Sequence, residues 1–245
     1  MHIKFLCLNI WFGGKLGKPV IDFLKTENAD ILALQEVRDP KALGLDYPHV
    51  HYAPEFLHRM DGEEYVTGNA IFSKYAIVGS DVQFYFEPYG VADESKRETY
   101  PFFPRNLQHV VTSVHGTDID VFNTHGVWGE DGNDTERRLQ ASDMVIKAIE
   151  GKRNVILTGD FNVNEHTQSI DKIGKQLNDI FKNERTTSFN VRRKTSGNYA
   201  TSVVDFIFIS ENIKVLSHKS PNIDVSDHLP MIAELEIRRD TIDES

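Results

Sequence analysis

The sequence predicts an α+β fold in which two packed, mostly antiparallel β-sheets carry helices on their outer faces. Three observations predict it. Short runs rich in Val, Ile and Phe recur along the chain, each bounded by Gly, Asn, Asp or Pro. Only a few helical patterns are inserted between them. Hydrophobic residues make up 40% of the 245 positions, enough for a sizeable core.

The strand-like runs cover residues 3–10, 31–35, 70–73, 77–86, 107–114, 119–124, 155–158, 203–209, 213–218 and 231–237. The first is short and broken by Asn9, and no small-residue cleavage site follows, so it is expected to be a strand and not a signal peptide. Pro19 suits a first helical turn, and Val20, Ile21, Phe23 and Leu24 follow it. Residues 135–149 form the clearest helix, with Glu136 near the start and Leu139, Ile146 and Ile149 on one face. A third helix is expected over 168–181, where Ile170, Ile173, Leu177 and Phe181 fall in step. Two stretches are irregular, 87–106 with three prolines and 184–199. No linker divides the chain, so residues 1–238 are expected to form one domain, with 239–245 an acidic tail.

The formal net charge is −10, from 37 acidic and 27 basic residues. That argues against a broad positive surface for gripping duplex DNA. Arg192, Arg193 and Lys194 leave a short or single-stranded nucleic acid open as a partner. The single cysteine, Cys7, excludes an internal disulfide and reads as a small buried hydrophobe. No apolar run is long enough to span a membrane, and the expected compartment is the cytoplasm.

Polar residues stand at the ends of the apolar runs: Asn9, Glu36, Asn123, His125, Asp160, Asn162, Asp205 and Asp227–His228. A carboxylate beside a buried strand is costly unless it is paired, hydrogen-bonded or metal-bound. Taken singly, each has an easy reading as a turn or cap. Together they call for a common cause, and a shared site is the simpler one. Asp, Glu and Asn oxygens favour a hard cation, Mg²⁺ or Mn²⁺, which keeps waters and can bind a phosphate. A His beside an Asp can act as general base, with the Asp fixing its tautomer.

Leu8-Asn9, Leu34-Gln35-Glu36-Val37, Gly68-Asn69-Ala70-Ile71, Asn123-Thr124-His125, Gly159-Asp160-Phe161-Asn162, Val204-Asp205-Phe206-Ile207-Phe208 and Ser226-Asp227-His228-Leu229-Pro230 occur in this order along nearly the whole chain. In these segments the sequence resembles the endonuclease/exonuclease/phosphatase superfamily of DNase I-like and exonuclease III-like enzymes. The resemblance implies a DNase I-like four-layer sandwich with the active site at one end. It implies Glu36 as principal Mg²⁺ ligand, with Asn9 and Asp227 close to the metal. His228, oriented by Asp205, would activate water or contact the phosphate. Asp160 would position or deprotonate the water, or protonate the leaving group. Asn162 and His125 would hold phosphate oxygens. Asn123 would support His125 or the strand turn at least as readily as touch substrate. One departure stands out: some family nucleases carry an acidic residue where this chain has Trp11, which is expected to pack beneath the site or to stack on a substrate, packing first.

The implied reaction is metal-dependent hydrolysis of a phosphate ester, with a phosphodiesterase or nuclease first. A phosphomonoesterase and a sphingomyelinase-like lipid phosphodiesterase are the alternatives within the class. Tyr100-Pro101-Phe102-Phe103 would be the lipid-facing loop, or simply a buried cover. A catalytically silent binding module is disfavoured, because Glu36, Asp160, Asn162, Asp205 and His228 are all present. Arg137 and Arg138 are expected to be solvated or paired with Glu130, Asp131 and Asp134.

Overall fold

Strand β1 (His2–Asn9) is buried along most of its length, and its side chains divide between two cores. Ile3, Phe5 and Cys7 enter one, Leu6 and Leu8 the other. A strand covered on both faces reads as a continuous apolar run, and this chain has several. The structure is a computed structural model and describes residues 1–60, 63–93 and 95–238. The expected tail at 239–245 lies outside them.

The remaining strands, in chain order, are β2 (Ile31–Val37), β3 (His49–Met60), β4 (Glu63–Ser73), β5 (Ala76–Phe84), β6 (Gly90–Asp93), β7 (Asn106–Val114), β8 (Thr117–His125), β9 (Val155–Asp160), β10 (Asn178–Asp179), β11 (Asp205–Ile209), β12 (Ile213–Lys219) and β13 (Met231–Ile237). They form a seven-stranded sheet in the order β12-β13-β1-β2-β4-β3-β6 and a six-stranded sheet in the order β10-β11-β9-β8-β7-β5. The pairs β1–β2, β3–β6 and β8–β9 are parallel and the others antiparallel. A helical turn, α1 (Trp11–Gly14), and three further helices, α2 (Lys18–Glu27), α3 (Glu136–Ile149) and α4 (Gln168–Gly174), complete the element list apart from short 3-10 turns.

The layers follow from the alternation of side chains. Ile3, Phe5, Ile31 and Ala33 meet Val110, Val121, Ile156 and Ile207 between the sheets. Val20 and Leu24 of α2 cover Leu6, Leu8, Leu32 and Leu34 on one outer face. Ala141, Val145 and Ile149 of α3, with Ile170 and Ile173 of α4, cover Leu107, Phe122, Leu157 and Phe206 on the other. This is the DNase I-like α+β sandwich that the sequence predicts.

Beside the apolar core runs a buried polar seam that joins the sheets. Asn123 of β8 donates to Leu34 O at 3.0 Å and to Gln108 Oε1 at 3.1 Å, and accepts from Gln35 Nε2 at 2.6 Å. Gln108 in turn donates to Nδ1 and O of His51, both at 2.9 Å. Asn123 is thus a clamp between sheets. Cys7 is buried and hydrogen-bonded to Gln35 in the same region, and burial pushes its thiol up to about 12.

The structure corrects two expectations about helices. The helix over 168–181 stops at Gly174, and the chain crosses the sheet edge through β10. Leu177 stays in the outer core while Phe181 enters the inter-sheet core, so their helical spacing is coincidental. On α3 the buried stripe is Arg138, Ala141, Ser142, Val145 and Ile149; Ile146 packs partly buried against the same core, and Leu139 lies outside the stripe. Arg138 is buried because it donates to the carbonyls of Val127 and Asn133, with Asp131 at 3.7 Å, and Arg137 pairs with Glu87 over the Phe86 ring. Strand β3 and the first half of β4 carry no apolar alternation that the sequence reading could find, since Pro54, Glu55 and three histidines interrupt β3. Among the described residues no helix is long and apolar enough to cross a membrane.

Gly159 sets how closely β8 and β9 approach. It has φ +140°, and a Cβ there would lie 1.9 Å from Thr124 O. Gly159→Ala is therefore expected to destabilise the protein by at least about 3 kcal/mol in denaturant unfolding. Gly174→Ala, where a Cβ meets nothing within 4 Å, should shift stability by less than about 1 kcal/mol. Equal tolerance at both positions would contradict the close approach.

Candidate active site

The pairing register brings the strand-end residues to one edge of the sandwich. Asn9 lies opposite Gln35, next to Glu36, in the parallel pair β1–β2. His125 lies opposite Asp160 in β8–β9, and Asp160 opposite Asp205 in β9–β11. Asp227 and His228 precede β13, which lies beside β1. A bulge between Leu34 and Val37 and a positive φ of 59° turn Glu36 toward the same edge. Asn162 also adopts a positive φ, 55°, just past β9.

The contacts are dense. Asn9 Nδ2 donates to Glu36 Oε1 at 3.1 Å and to Asp160 Oδ2 at 3.2 Å, while its Oδ1 accepts from Trp11 N–H at 3.0 Å. Phe12 N–H donates to Glu36 Oε2 at 2.7 Å. Asn162 N–H donates to Asp160 Oδ1 at 2.9 Å, and its amide to Gly126 O. His228 Nδ1 lies 2.9 Å from Asp205 Oδ2. The Nε2 atoms of His228 and His125 both stand 3.7 Å from Asp160 Oδ2, so two imidazoles flank one carboxylate oxygen. The ligand atoms of Asp160, Asp205 and His228 lie within 4.8 Å of one another, close enough to hold a metal ion. Glu36 and Asp227 line the same cleft, of about 760 Å³.

Burial and charge compete at each group. Burial would raise Glu36, but His125, the Phe12 N–H, Asn9 and His228 outweigh it and hold the carboxyl below its ordinary range. Asp160 is likewise held low against burial, by His228, His125, the Asn162 N–H and Asn9. Asp205 and Asp227 go the other way: burial, joined by Asp160 at the first and Glu36 at the second, raises both. Burial disfavours a charged His228, yet Asp205, Asp160 and Asp227 raise it to about 10. Both directions favour an ionised Asp160 and a protonated His228.

Other residues of the site carry no motif of their own. Glu55, fully buried in β3, accepts from Arg105 Nη1 at 2.8 Å, and the same nitrogen lies 2.6 Å from His125 Nδ1. An arginine can only donate, so His125 Nδ1 accepts and its proton sits on Nε2. Asn69 of the Gly68-Asn69 segment reaches Glu55 Oε1 at 3.3 Å, which was the one sequence pointer to this arm. Ser226 Oγ donates to Asn9 O at 2.6 Å, and Ser188 Oγ accepts from the Val204 and Asp205 amides. Lys194 Nζ stands 3.0 Å from Asp227 Oδ2. Arg97, at the cleft rim, pairs with Glu130 beside Trp128, while Arg192 is exposed. Trp11 is half-buried with Lys15 over its ring and lines the cleft wall instead of packing beneath the site. In the aromatic loop Phe103 is buried against Phe56 and Phe102 is exposed.

The model of the endonuclease/exonuclease/phosphatase family matches residues 6–228. A search of the curated proteins finds no match. Among solved structures, a family protein from Bacteroides vulgatus superposes with a TM-score of 0.74 at 20% identity, covering 97% of this chain and 100% of its own. A mannosyl-6-phosphatase from Bacteroides thetaiotaomicron gives 0.72 at 20% identity, covering 96% and 100%. The human nocturnin catalytic domain with bound sulfate gives 0.71 at 15% identity, covering 97% and 95%. At these identities the superpositions establish the shared fold.

The raised His228 has a measurable consequence in metal-free protein. Its folded pKa, about 10, lies above the ordinary 6.5. The stability linked to its charge is then fully present below pH 6.5 and is lost as pH rises through about 10. The Tm advantage of wild type over His228→Gln should shrink across that window. An advantage independent of pH would show that His228 is neutral in the folded protein.

Proposed function

Because the chain belongs to the endonuclease/exonuclease/phosphatase family, we propose that it is a divalent-metal-dependent hydrolase of phosphate esters, phosphodiesters first. The observation that carries this reading is the buried Asp160 carboxylate flanked at 3.7 Å by the imidazoles of His125 and His228.

The donor set fits a hard cation: the buried groups offer carboxylate and amide oxygens, and the one cysteine lies away in the inter-sheet core. Glu36 and Asp227 would hold Mg²⁺ or Mn²⁺, with Asn9 beside them orienting Glu36 and Asp160 through its amide nitrogen. When bound, such a cation polarises the phosphoryl oxygen and neutralises charge built up in the transition state.

The chain's own groups divide the remaining work. Asp160, held ionised, orients the attacking water and accepts its proton. His228, kept cationic and oriented by Asp205, donates to a phosphoryl oxygen. His125 points an Nε2–H into the same space, because Arg105 occupies its Nδ1. Asn162, fixed on the Gly126 carbonyl, stands beside them for a second oxygen. Trp11, Phe12, Trp128, Asn198 and Tyr199 line the same cleft as this cluster, and its volume of about 760 Å³ leaves room for both ester arms of a phosphodiester.

Purified protein should hydrolyse bis-p-nitrophenyl phosphate with Mg²⁺ or Mn²⁺ and lose the activity in EDTA. Asp160→Asn and His228→Ala should each lower kcat by at least about 10²-fold. Turnover that survives EDTA, or near-normal rates in both variants, would overturn the reading. A panel of single- and double-stranded DNA, RNA, sphingomyelin, nucleotides and sugar phosphates then decides the ester.

A further inference from the structure

The turn at 188–194 belongs to no sheet, yet it is stapled to the strand ends of the site. Leu229 N–H donates to Ser188 O and Asn190 N–H to Asp227 O, both at 2.8 Å. Asn190 Nδ2 donates to Ser226 O and Asp224 Oδ1, both at 2.9 Å. Its carbonyl accepts from the amides of Arg193 and Lys194, at 2.8 and 2.9 Å. Arg193 makes a two-pronged pair with Asp224, at 2.8 and 2.6 Å. The main-chain bonds of Ser188 and Asn190 are enough to hold this turn, and they fix where the Lys194 side chain starts.

That side chain reaches into the cleft. Its ammonium sits 3.0 Å from Asp227 Oδ2 and 5.4 Å from the centre of the Tyr199 ring, and its charge also acts on Glu36. The two arginines lining the cleft are committed elsewhere: Arg105 to Glu55 and His125, Arg97 to Glu130. Lys194 is about a third exposed, so its ion pair is partly solvated and exchangeable. A lysine stem is flexible and its ammonium is a compact charge that can turn between neighbouring anions. An entering phosphate is such an anion, and the cluster of Glu36, Asp160 and Asp227 would otherwise repel it.

We propose that Lys194 is a substrate-contacting residue, which rests on Asp227 in the free protein and turns to a non-bridging phosphoryl oxygen when a phosphate ester binds. The inference rests on the phosphoesterase reading, and orthophosphate binding tests it independently of turnover. At saturating Mg²⁺, Lys194→Met should weaken orthophosphate binding by about tenfold or more in calorimetric titration, the scale of one charge-assisted hydrogen bond. Lys194→Arg should restore most of it, and KM for bis-p-nitrophenyl phosphate should rise more than kcat falls. Arg193→Gln, which breaks the Asp224 pair in the same turn, should leave phosphate binding as in wild type. Lys194→Met binding phosphate like wild type, with only a lowered Tm, would make the residue structural and overturn the proposal. Arg193→Gln weakening phosphate as much as Lys194→Met would also overturn it, since the turn and not the ammonium would then matter. Lys194-dependent phosphate binding in a protein that hydrolyses no ester would uphold the contact and defeat the phosphoesterase reading instead.

Discussion

An excess of buried carboxylate at the shared edge of two β-sheets is the constraint on which the rest of this structure depends. Asp160, Asp205 and Asp227 are all buried, and Glu36 is partly buried. Carboxylates so placed repel one another and lose their hydration, a combination that folded proteins tolerate only with specific compensation. Here the compensation comes from two imidazoles, the Asn9 amide, the backbone N–H groups of Phe12 and Asn162, and Lys194. The result is uneven: Glu36 and Asp160 are held ionised, whereas Asp205 and Asp227 are pushed toward neutrality. That unevenness distinguishes Asp160, which lies between two imidazoles, from Asp205, which is hydrogen-bonded to His228.

Such a cluster needs a scaffold that cannot relax away from it. The polar seam through Gln35, Asn123 and Gln108 fixes one sheet against the other in register, since a slip would strand several buried amides at once. The glycines do the same at shorter range. A Cβ at Gly126 would meet Phe161 O at 2.1 Å, so the backbone behind His125 and Asp160 touches directly. Rigid support of this kind keeps charged groups in place that would otherwise separate.

Much of this was legible from the residues. Strands buried on both faces read as apolar runs, and a polar residue closing such a run is conspicuous, which is why Asn9, Glu36, His125, Asp160 and Asp227–His228 stood out. The rest of the site depends on long-range pairing. Glu55 sits in a strand broken by Pro54 and a bulge, so nothing local marks it as buried. Ser188 and Asn190 act through their hydrogen bonds to a turn about 35 residues later. Arg138 reads as a helix-surface residue, and only the carbonyls of the preceding loop explain its burial. Leu177 and Phe181 keep helical spacing past the end of the helix at Gly174 while serving different cores, so local spacing does not mark where it stops.

The central claim is that the clustered carboxylates are a divalent-metal site. Calorimetric titration of Mn²⁺ into wild type and Glu36→Gln tests it most directly. The account predicts saturable binding to wild type and loss of at least about tenfold in affinity in Glu36→Gln, the scale set by disturbing a metal's immediate surroundings. Equal Mn²⁺ affinity in the two proteins, or none in wild type, would contradict it.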